Sequence, residues 1–246
     1  MTNYRMLVQY DGTRYNGWQK QGDTDNTIQN RIESILARMT GEPVDVHGAG
    51  RTDAGVHAKG QVAQFRLETT KTPEEIRDYL NEYLPEDIGV LSVSVAAPRF
   101  HSRYNASEKT YLYRISKDKS CHVFDRKYVY EYKGKLDVDA MKVATLQLRG
   151  EHDFKSFCGN PRMRKSTVRT IFAIHITEDE KEIDLSFIGD GFLQYMVRIL
   201  VGTLIEVGEG KRDPNSMDAL IAARDRTMAG PTAPACGLTL MKVKYN

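Results

Sequence analysis

The sequence predicts an α+β protein built from two ferredoxin-like halves, each with the element order β-α-β-β-α-β, that form a central cleft. The first observation is that strand-like and helix-like apolar patterns follow this order in residues 1–104 and again, with insertions, in residues 105–246. The second is a strong helix start at Thr72. A chain of 246 residues is long enough for two such cores, and ligand sites commonly form in the groove between two units.

The first half is predicted from four strands and two helices. Strands are expected at residues 4–10, 44–47, 61–67 and 88–95. Ile28, Ile32 and Leu36 fall on one helical face, and Gly41 ends that helix. At the second helix Thr72 is a cap, the next residue is proline, and Glu75 completes a capping box.

The second half repeats this order as a pattern, without close sequence identity to the first. Strands are expected at residues 110–116, 171–177, 183–188 and 238–243, and helices at 138–148, 191–207 and from Asp213 to near Arg224. Residues 105–246 are therefore expected to complete the cleft of an N-terminal half that carries an aspartate-bearing loop.

Composition narrows the class of protein. The formal net charge is only +2, so an RNA partner would require basic residues to be segregated onto one face. The three cysteines (Cys121, Cys158 and Cys236) are odd in number and form no Cys-x-x-Cys pair, which indicates neither a disulfide framework nor a zinc site. The N-terminus lacks the apolar core of a signal peptide, and no run is apolar enough to span a membrane. We therefore expect a cytoplasmic protein.

A glycine-rich segment at residues 48–57 is the strongest candidate for chemistry. It lies between two predicted strands, whereas a dinucleotide-binding loop is followed by a helix, and no Lys-Ser or Lys-Thr pair follows as in a phosphate-binding loop. Asp53 is its only carboxylate, and the nearby Arg51 would keep that group ionised. Two other interpretations remain open: Asp53 caps a turn, or His47, Asp53 and His57 bind a metal in a hydrolase.

Three further segments are expected to meet this loop. Basic and aromatic side chains alternate in residues 99–104 and then in Lys109, Tyr111, Tyr113 and Arg114. Surfaces that bind unpaired RNA show this pattern, although tyrosines also alternate in strands for packing alone. Arg198 interrupts an apolar helix. A buried guanidinium needs an anionic partner, for which Asp53 is the candidate, whereas a side chain that extends to solvent needs none. The third segment is a basic loop with Arg162, Arg164, Lys165 and Arg169. These side chains either contact phosphates of the RNA or are only solvated.

With these pieces in order, the sequence closely resembles the TruA family of tRNA pseudouridine synthases. The matching segments are YNGWQ (15–19), GRTDAGVH (50–57), LPEDI (84–88), FHSRYNA (100–106), GEHDFKSF (150–157), MVR (196–198) and TAP (232–234). The resemblance implies a homodimer that grips one tRNA and isomerises uridine in the anticodon stem-loop, at tRNA positions 38 to 40. Two departures, Leu112 and Thr239, concern which uridines are chosen.

The resemblance also implies roles for single residues. Asp53 matches the catalytic aspartate, Tyr111 the tyrosine that contacts the target base, and Arg198 the arginine of the MVR helix. Arg51 would contact the flipped nucleotide or its phosphate. Isomerisation consumes no water and involves no redox step, so neither metal nor cofactor is required. Asp53 could attack ribose C1′, abstract a 2′ proton or attack uracil C6. The rival hypothesis is a non-catalytic RNA-binding protein with two RRM-like halves.

Overall fold

The computed structural model describes residues 1–117, 123–160 and 162–246, so Cys121 and Pro161 lie outside the described residues. The mixed α+β class is confirmed. The chain divides into two compact units, Met1–Ser107 with Thr239–Asn246 (unit 1) and Glu108–Leu238 (unit 2). Among the described residues, no helix combines the length and apolar character needed to cross a membrane.

Apart from two additional short strands, the helices and strands follow the predicted order. In chain order they are β1 (Thr2–Tyr10), α1 (Ile28–Thr40), β2 (Val46–Gly48), β3 (His57–Leu67), α2 (Pro73–Tyr83), β4 (Ile88–Val95), β5 (Ala106–Ser116), β6 (Tyr130–Glu131), α3 (Val138–Gln147), β7 (Gly150–Asp153), β8 (Val168–Glu178), β9 (Glu182–Gly189), α4 (Met196–Gly208), α5 (Met217–Ala223) and β10 (Leu238–Tyr245).

Unit 1 is built on a sheet in which β1 is central, between β4 and β3, and pairs antiparallel with both. The short β2 pairs antiparallel with the edge of β3 that faces away from β1, and β10 pairs parallel with the start of β3. The end of α1 and the start of α2 lie where the sequence predicts. Gly41 ends α1 in the left-handed region at φ 81°, and Thr72 and Glu75 form the capping box of α2.

Strand β3 begins at His57, four residues earlier than predicted. The difference arises at Gly60, because sequence reasoning treats a glycine as a break. A Cβ at this position would lie 2.3 Å from the carbonyl oxygen of Met241 in β10, so glycine permits the close approach of the two strands. The loop that carries Asp53 is therefore shorter than predicted, and His57 belongs to a strand.

Unit 2 contains an antiparallel sheet in the order β5-β9-β8-β7, with β6 pairing parallel to β5. The predicted helix at 138–148 is confirmed as α3. The short strands β6 and β7 and the 3₁₀ turn Phe154–Phe157 were not predicted. They are too short for a periodic pattern to reveal them.

The predicted start of α4 at residue 191 was wrong, since the helix begins at Met196. Its N-cap residue, Tyr195, has φ 60° and ψ 3°, a left-handed conformation that a continuous helix excludes. Leu193 is buried outside the helix. Only the second part of the apolar run is therefore helical, and the first part includes the exposed Gln194.

Candidate active site

The backbone of the Asp53 loop is fixed at its start by a buried glutamine. The Gln61 side-chain amide donates to the Gly50 carbonyl at 2.7 Å, and its oxygen accepts from the Gly50 N–H at 3.3 Å. The Ala49 N–H also donates to the Val62 carbonyl at 2.8 Å. Because Gln61 is fully buried, water does not compete for these bonds, and Gly50 is held firmly against β3.

Thr52 fixes the loop from the opposite side. Its hydroxyl lies 2.8 Å from the hydroxyl of buried Tyr10, and its carbonyl accepts from the Trp18 N–H at 3.0 Å. Burial raises the pKa of Tyr10 far above its usual value, so the phenol stays protonated and neutral. A Cβ on Gly17 (φ 91°) would lie 2.6 Å from the Thr52 carbonyl oxygen, so this close backbone approach requires glycine.

Asp53 follows directly and is half-buried, while Arg51 is exposed. The Asp53 carbonyl accepts from the Val56 N–H at 3.1 Å, which closes a turn, and the Gly55 N–H donates to the Tyr15 carbonyl at 3.3 Å. Gly55 has φ 77°, as a tight turn at this position requires. The carboxylate therefore projects from a backbone that is held on both flanks.

The two histidines of the metal interpretation have other neighbours. Nδ1 of buried His57 accepts from the Gly12 N–H at 3.1 Å, and the ring of His47 stacks on His101 with centroids 5.7 Å apart. Within residues 1–117, 123–160 and 162–246, no cluster of three or more His, Cys, Asp or Glu side chains is placed to hold a metal ion. The geometry therefore gives the hydrolase interpretation no support.

In unit 2, the two tyrosines of β5 have different surroundings. The ring of Tyr111 is 8% exposed and packs edge-on against Phe192, with centroids 5.3 Å apart. Tyr113 is completely buried and donates its hydroxyl proton to the Pro234 carbonyl at 2.8 Å. Tyr113 is thus a core residue, whereas Tyr111 lies at the margin of the core.

Arg198 is half-buried in the first turn of α4. Its Nε donates to the Ala233 carbonyl at 2.7 Å, and the Ala233 N–H donates back to the Arg198 carbonyl at 3.0 Å. The guanidinium carbon lies 5.3 Å from the ring centroid of Tyr195, within the range of a cation–π interaction. These contacts orient the guanidinium within unit 2.

The basic loop divides into two kinds of residue. Arg162, Arg164 and Lys165 are exposed, and none of them makes an ion pair within the described parts of the chain. Arg169 is half-buried, and its Nη1 donates to the Ser166 carbonyl at 3.1 Å and the Val168 carbonyl at 2.5 Å. The first three are therefore better placed than Arg169 to contact a phosphate.

Comparison with known proteins decides the family. The family described as tRNA pseudouridine synthase matches residues 6–105 and 144–246. This chain belongs to that family. The enzyme is 46% identical to tRNA pseudouridine synthase A of Bacillus sp. (strain KSM-64) and 44% identical to that of Clostridium acetobutylicum, in both cases over 245 residues and 100% of each chain. It is 41% identical to tRNA pseudouridine synthase A 2 of Bacillus cereus (strain ZK / E33L) over the same span.

Membership makes the protein an isomerase that acts in tRNA modification, so the hypothesis of a non-catalytic RNA-binding protein was wrong. Among solved structures, a Cbf5-Nop10-Gar1 complex is matched at a TM-score of 0.40 and 10% identity. That match covers 96% of this chain and 48% of the other, and a similarity this low supports no structural argument.

Two residues that hold the candidate site residues of this enzyme in position were not predicted from the sequence. Gln61 fixes the loop before Asp53, and the Tyr195 ring lies beneath Arg198. Gln61 stands in a predicted strand. A polar side chain there needs hydrogen-bond partners if it is buried, and this requirement was the available signal. The left-handed backbone of Tyr195 has no counterpart in the sequence pattern.

Proposed function

We propose that this enzyme isomerises uridines at positions 38 to 40 in the anticodon stem-loop of tRNA, with Asp53 as the catalytic carboxylate. The observation that carries the proposal is the half-buried Asp53 on a backbone held by Gln61, Tyr10 and Trp18. A carboxylate repels phosphate, so its presence in a fixed loop of a tRNA-modifying enzyme calls for a chemical role.

The reaction breaks the bond from uracil N1 to ribose C1′, rotates the base, and joins C5 to C1′. Ionised Asp53 would assist by attacking C1′, by abstracting a 2′ proton or by attacking C6. The target nucleotide has to leave the base stack first, at a cost of a few kcal/mol. Arg51, exposed two residues before Asp53, would contact the flipped nucleotide or its phosphate.

Tyr111 and Arg198 complete the proposed machinery. Tyr111 would stack on the uracil and relay the proton released from C5, and its edge contact with Phe192 pre-orients the ring. Arg198 would hold the Asp53 carboxylate, and its bond to the Ala233 carbonyl fixes the guanidinium for that role. Both assignments rest on the family resemblance together with these contacts in unit 2.

The proposal includes two ferredoxin-like halves around a cleft and a homodimer that grips one tRNA. In unit 1 the antiparallel strand order β4-β1-β3-β2, which the split β-α-β pattern requires, supports the first part. The exposed basic residues Arg162, Arg164 and Lys165 are candidates for phosphate contacts, with Arg169 beside them.

The test is to incubate the enzyme with unmodified tRNA transcripts and to map pseudouridine along the RNA. We expect pseudouridine at positions 38 to 40, and none in matched transcripts that carry cytidine there. EDTA should not abolish the reaction, because an isomerisation needs no electron or group donor. Modification confined to another arm of the tRNA would refute the assignment of the target. Loss of activity in EDTA that a transition metal restores, and magnesium does not, would refute the metal-free mechanism.

A further inference from the structure

A ladder of three aromatic rings lies on unit 1, outside the proposed catalytic residues. His47, the middle residue of β2, stacks on His101 with centroids 5.7 Å apart and ring planes 25° apart. Tyr104 follows, with its centroid 4.2 Å from that of His101. Tyr104 ends the ladder and remains 75% exposed. The ladder therefore presents one open aromatic face to solvent.

The backbone beneath the ladder is held in place by buried side chains. The hydroxyl of fully buried Ser102 donates to the His47 carbonyl at 2.6 Å, and its N–H donates to the side-chain oxygen of Gln64. The Tyr245 hydroxyl donates to the Ser102 carbonyl at 2.7 Å. The backbone at His47 and beside His101 is consequently held in place, which lowers the entropy lost when a ligand binds.

The middle ring is held as a neutral acceptor. Nδ1 of His101 accepts from the N–H groups of Arg103 at 3.1 Å and Tyr104 at 3.4 Å. Partial burial and then the neighbouring His47 and Arg103 lower the pKa of His101. Near neutral pH the ring therefore remains an uncharged stacking partner for its neighbours.

Four arginines contact or belong to residues 98–103, the segment that leads into the ladder. The Arg5 guanidinium lies over the ring of Phe100, and Arg66 donates to the Pro98 carbonyl at 3.0 Å. Arg99 and Arg103 stand in the ladder segment itself. All four are exposed, and none pairs with a carboxylate in the described ranges of the chain. Such a group of exposed cations is complementary to the phosphates of a nucleic-acid backbone.

We propose that this ladder binds an unpaired base of the RNA substrate on the open face of Tyr104, while these four arginines contact the adjoining phosphates. Within a stem both faces of a base are covered by its neighbours, whereas an unpaired base can be splayed out onto a protein ring, so the ligand is an unpaired nucleotide and not a base within a stem. His47 and Asp53 are six positions apart in the chain, a span of at most roughly 22 Å. The inference rests on the proposed function, because tRNA supplies the nucleotide.

The test measures tRNA binding by wild-type enzyme and Tyr104→Ala. We expect binding to weaken about 5- to 20-fold, the lower range for one base stacked on an aromatic ring. Tyr104→Phe, which keeps the ring, should bind within about two-fold of wild type. The slope of log affinity against log salt should not change, because no charge is lost. Phe124→Ala is the matched control, since that ring is 93% exposed in unit 2.

A measurement on the unaltered enzyme makes the test independent of folding of the variant. In hydroxyl-radical footprinting, tRNA should protect Tyr104 and leave Phe124 as reactive as before. Unprotected Tyr104, wild-type affinity of Tyr104→Ala, or an equal loss in Tyr104→Phe would each overturn the ladder proposal. Pseudouridine mapping with wild type is read separately. If it fails while Tyr104 is protected, the proposed target is wrong and the ladder proposal stands.

Discussion

Replacing Gln61 by leucine should slow the reaction by displacing the Asp53 loop without touching any reacting group. Leucine fills a similar volume but leaves the Gly50 N–H and carbonyl without their side-chain partner. A buried polar group left unsatisfied costs about 1–3 kcal/mol. With two such groups and partial relaxation of the loop, we expect a loss of about 2–4 kcal/mol in unfolding free energy.

The expected effect on rate follows from the position of the carboxylate. A displacement of about 1 Å at a reacting group lowers turnover about 100-fold, so single-turnover pseudouridine formation by Gln61→Leu should fall by roughly that factor. Affinity for tRNA should change little. Urea unfolding and single-turnover assays on the same preparation measure the two quantities.

A matched control tests whether the effect is specific to the loop. The exposed Asn81 makes the same paired contact with the backbone. Its amide nitrogen donates to the Val90 carbonyl at 2.9 Å, and its amide oxygen accepts from the Val90 N–H at 2.8 Å. Asn81→Leu should lower stability less, because water reaches the site, and should leave the rate unchanged. Equal rate loss in both variants, or full activity in Gln61→Leu, would refute the role assigned to Gln61.

Three further predictions concern unit 2. The first replaces the four basic loop residues together by glutamine: Arg162, Arg164, Lys165 and Arg169. Binding of tRNA should weaken, and the slope of log affinity against log salt should fall by about one per lost phosphate contact. An unchanged slope would mean that the loop is only solvated. Tyr195→Leu removes the ring beneath Arg198 and should lower the single-turnover rate about five-fold, as loss of about 1 kcal/mol implies, whereas Tyr195→Phe should not. Asp184→Asn should raise the unfolding free energy at pH 7, because burial, and then Glu182, raise the pKa of this carboxyl and disfavour its ionised form. Wild type therefore loses stability as pH rises through that pKa. If urea unfolding showed Asp184→Asn to be more stable than wild type by the same amount at pH 3 and at pH 7, this assignment would be contradicted.

Local signals in the sequence predicted most elements of the fold. The capping box of Thr72 and the glycine at position 41 act within one helical turn, so their effect can be recognised without knowledge of tertiary contacts. Where tertiary contacts decide, prediction failed. Gly60 lies within a strand because β10 approaches it closely, and Tyr195 adopts a left-handed conformation before α4.

The candidate site divides in the same way. The glycine-rich pattern and the family motifs identified Asp53, Arg51, Tyr111 and Arg198 as candidates, because these residues stand in recognisable segments. The bonds that hold the loop were not predictable, since Gln61 and Tyr10 come from separate strands. The ladder of His47, His101 and Tyr104 joins β2 to a segment more than fifty residues later in the chain, and no periodicity reveals that contact.

The most direct test of the central claim is the single-turnover rate of pseudouridine formation by Asp53→Asn at saturating enzyme. Asparagine keeps the size and shape of the side chain, so we expect folding and tRNA affinity close to wild type, whereas an amide is a poor nucleophile and a poor base. Asp23→Asn, at an exposed carboxylate of unit 1, is the control and should retain the wild-type rate. The account predicts no detectable pseudouridine from Asp53→Asn with tRNA fully bound. Formation of pseudouridine by that variant at near the wild-type rate would contradict it.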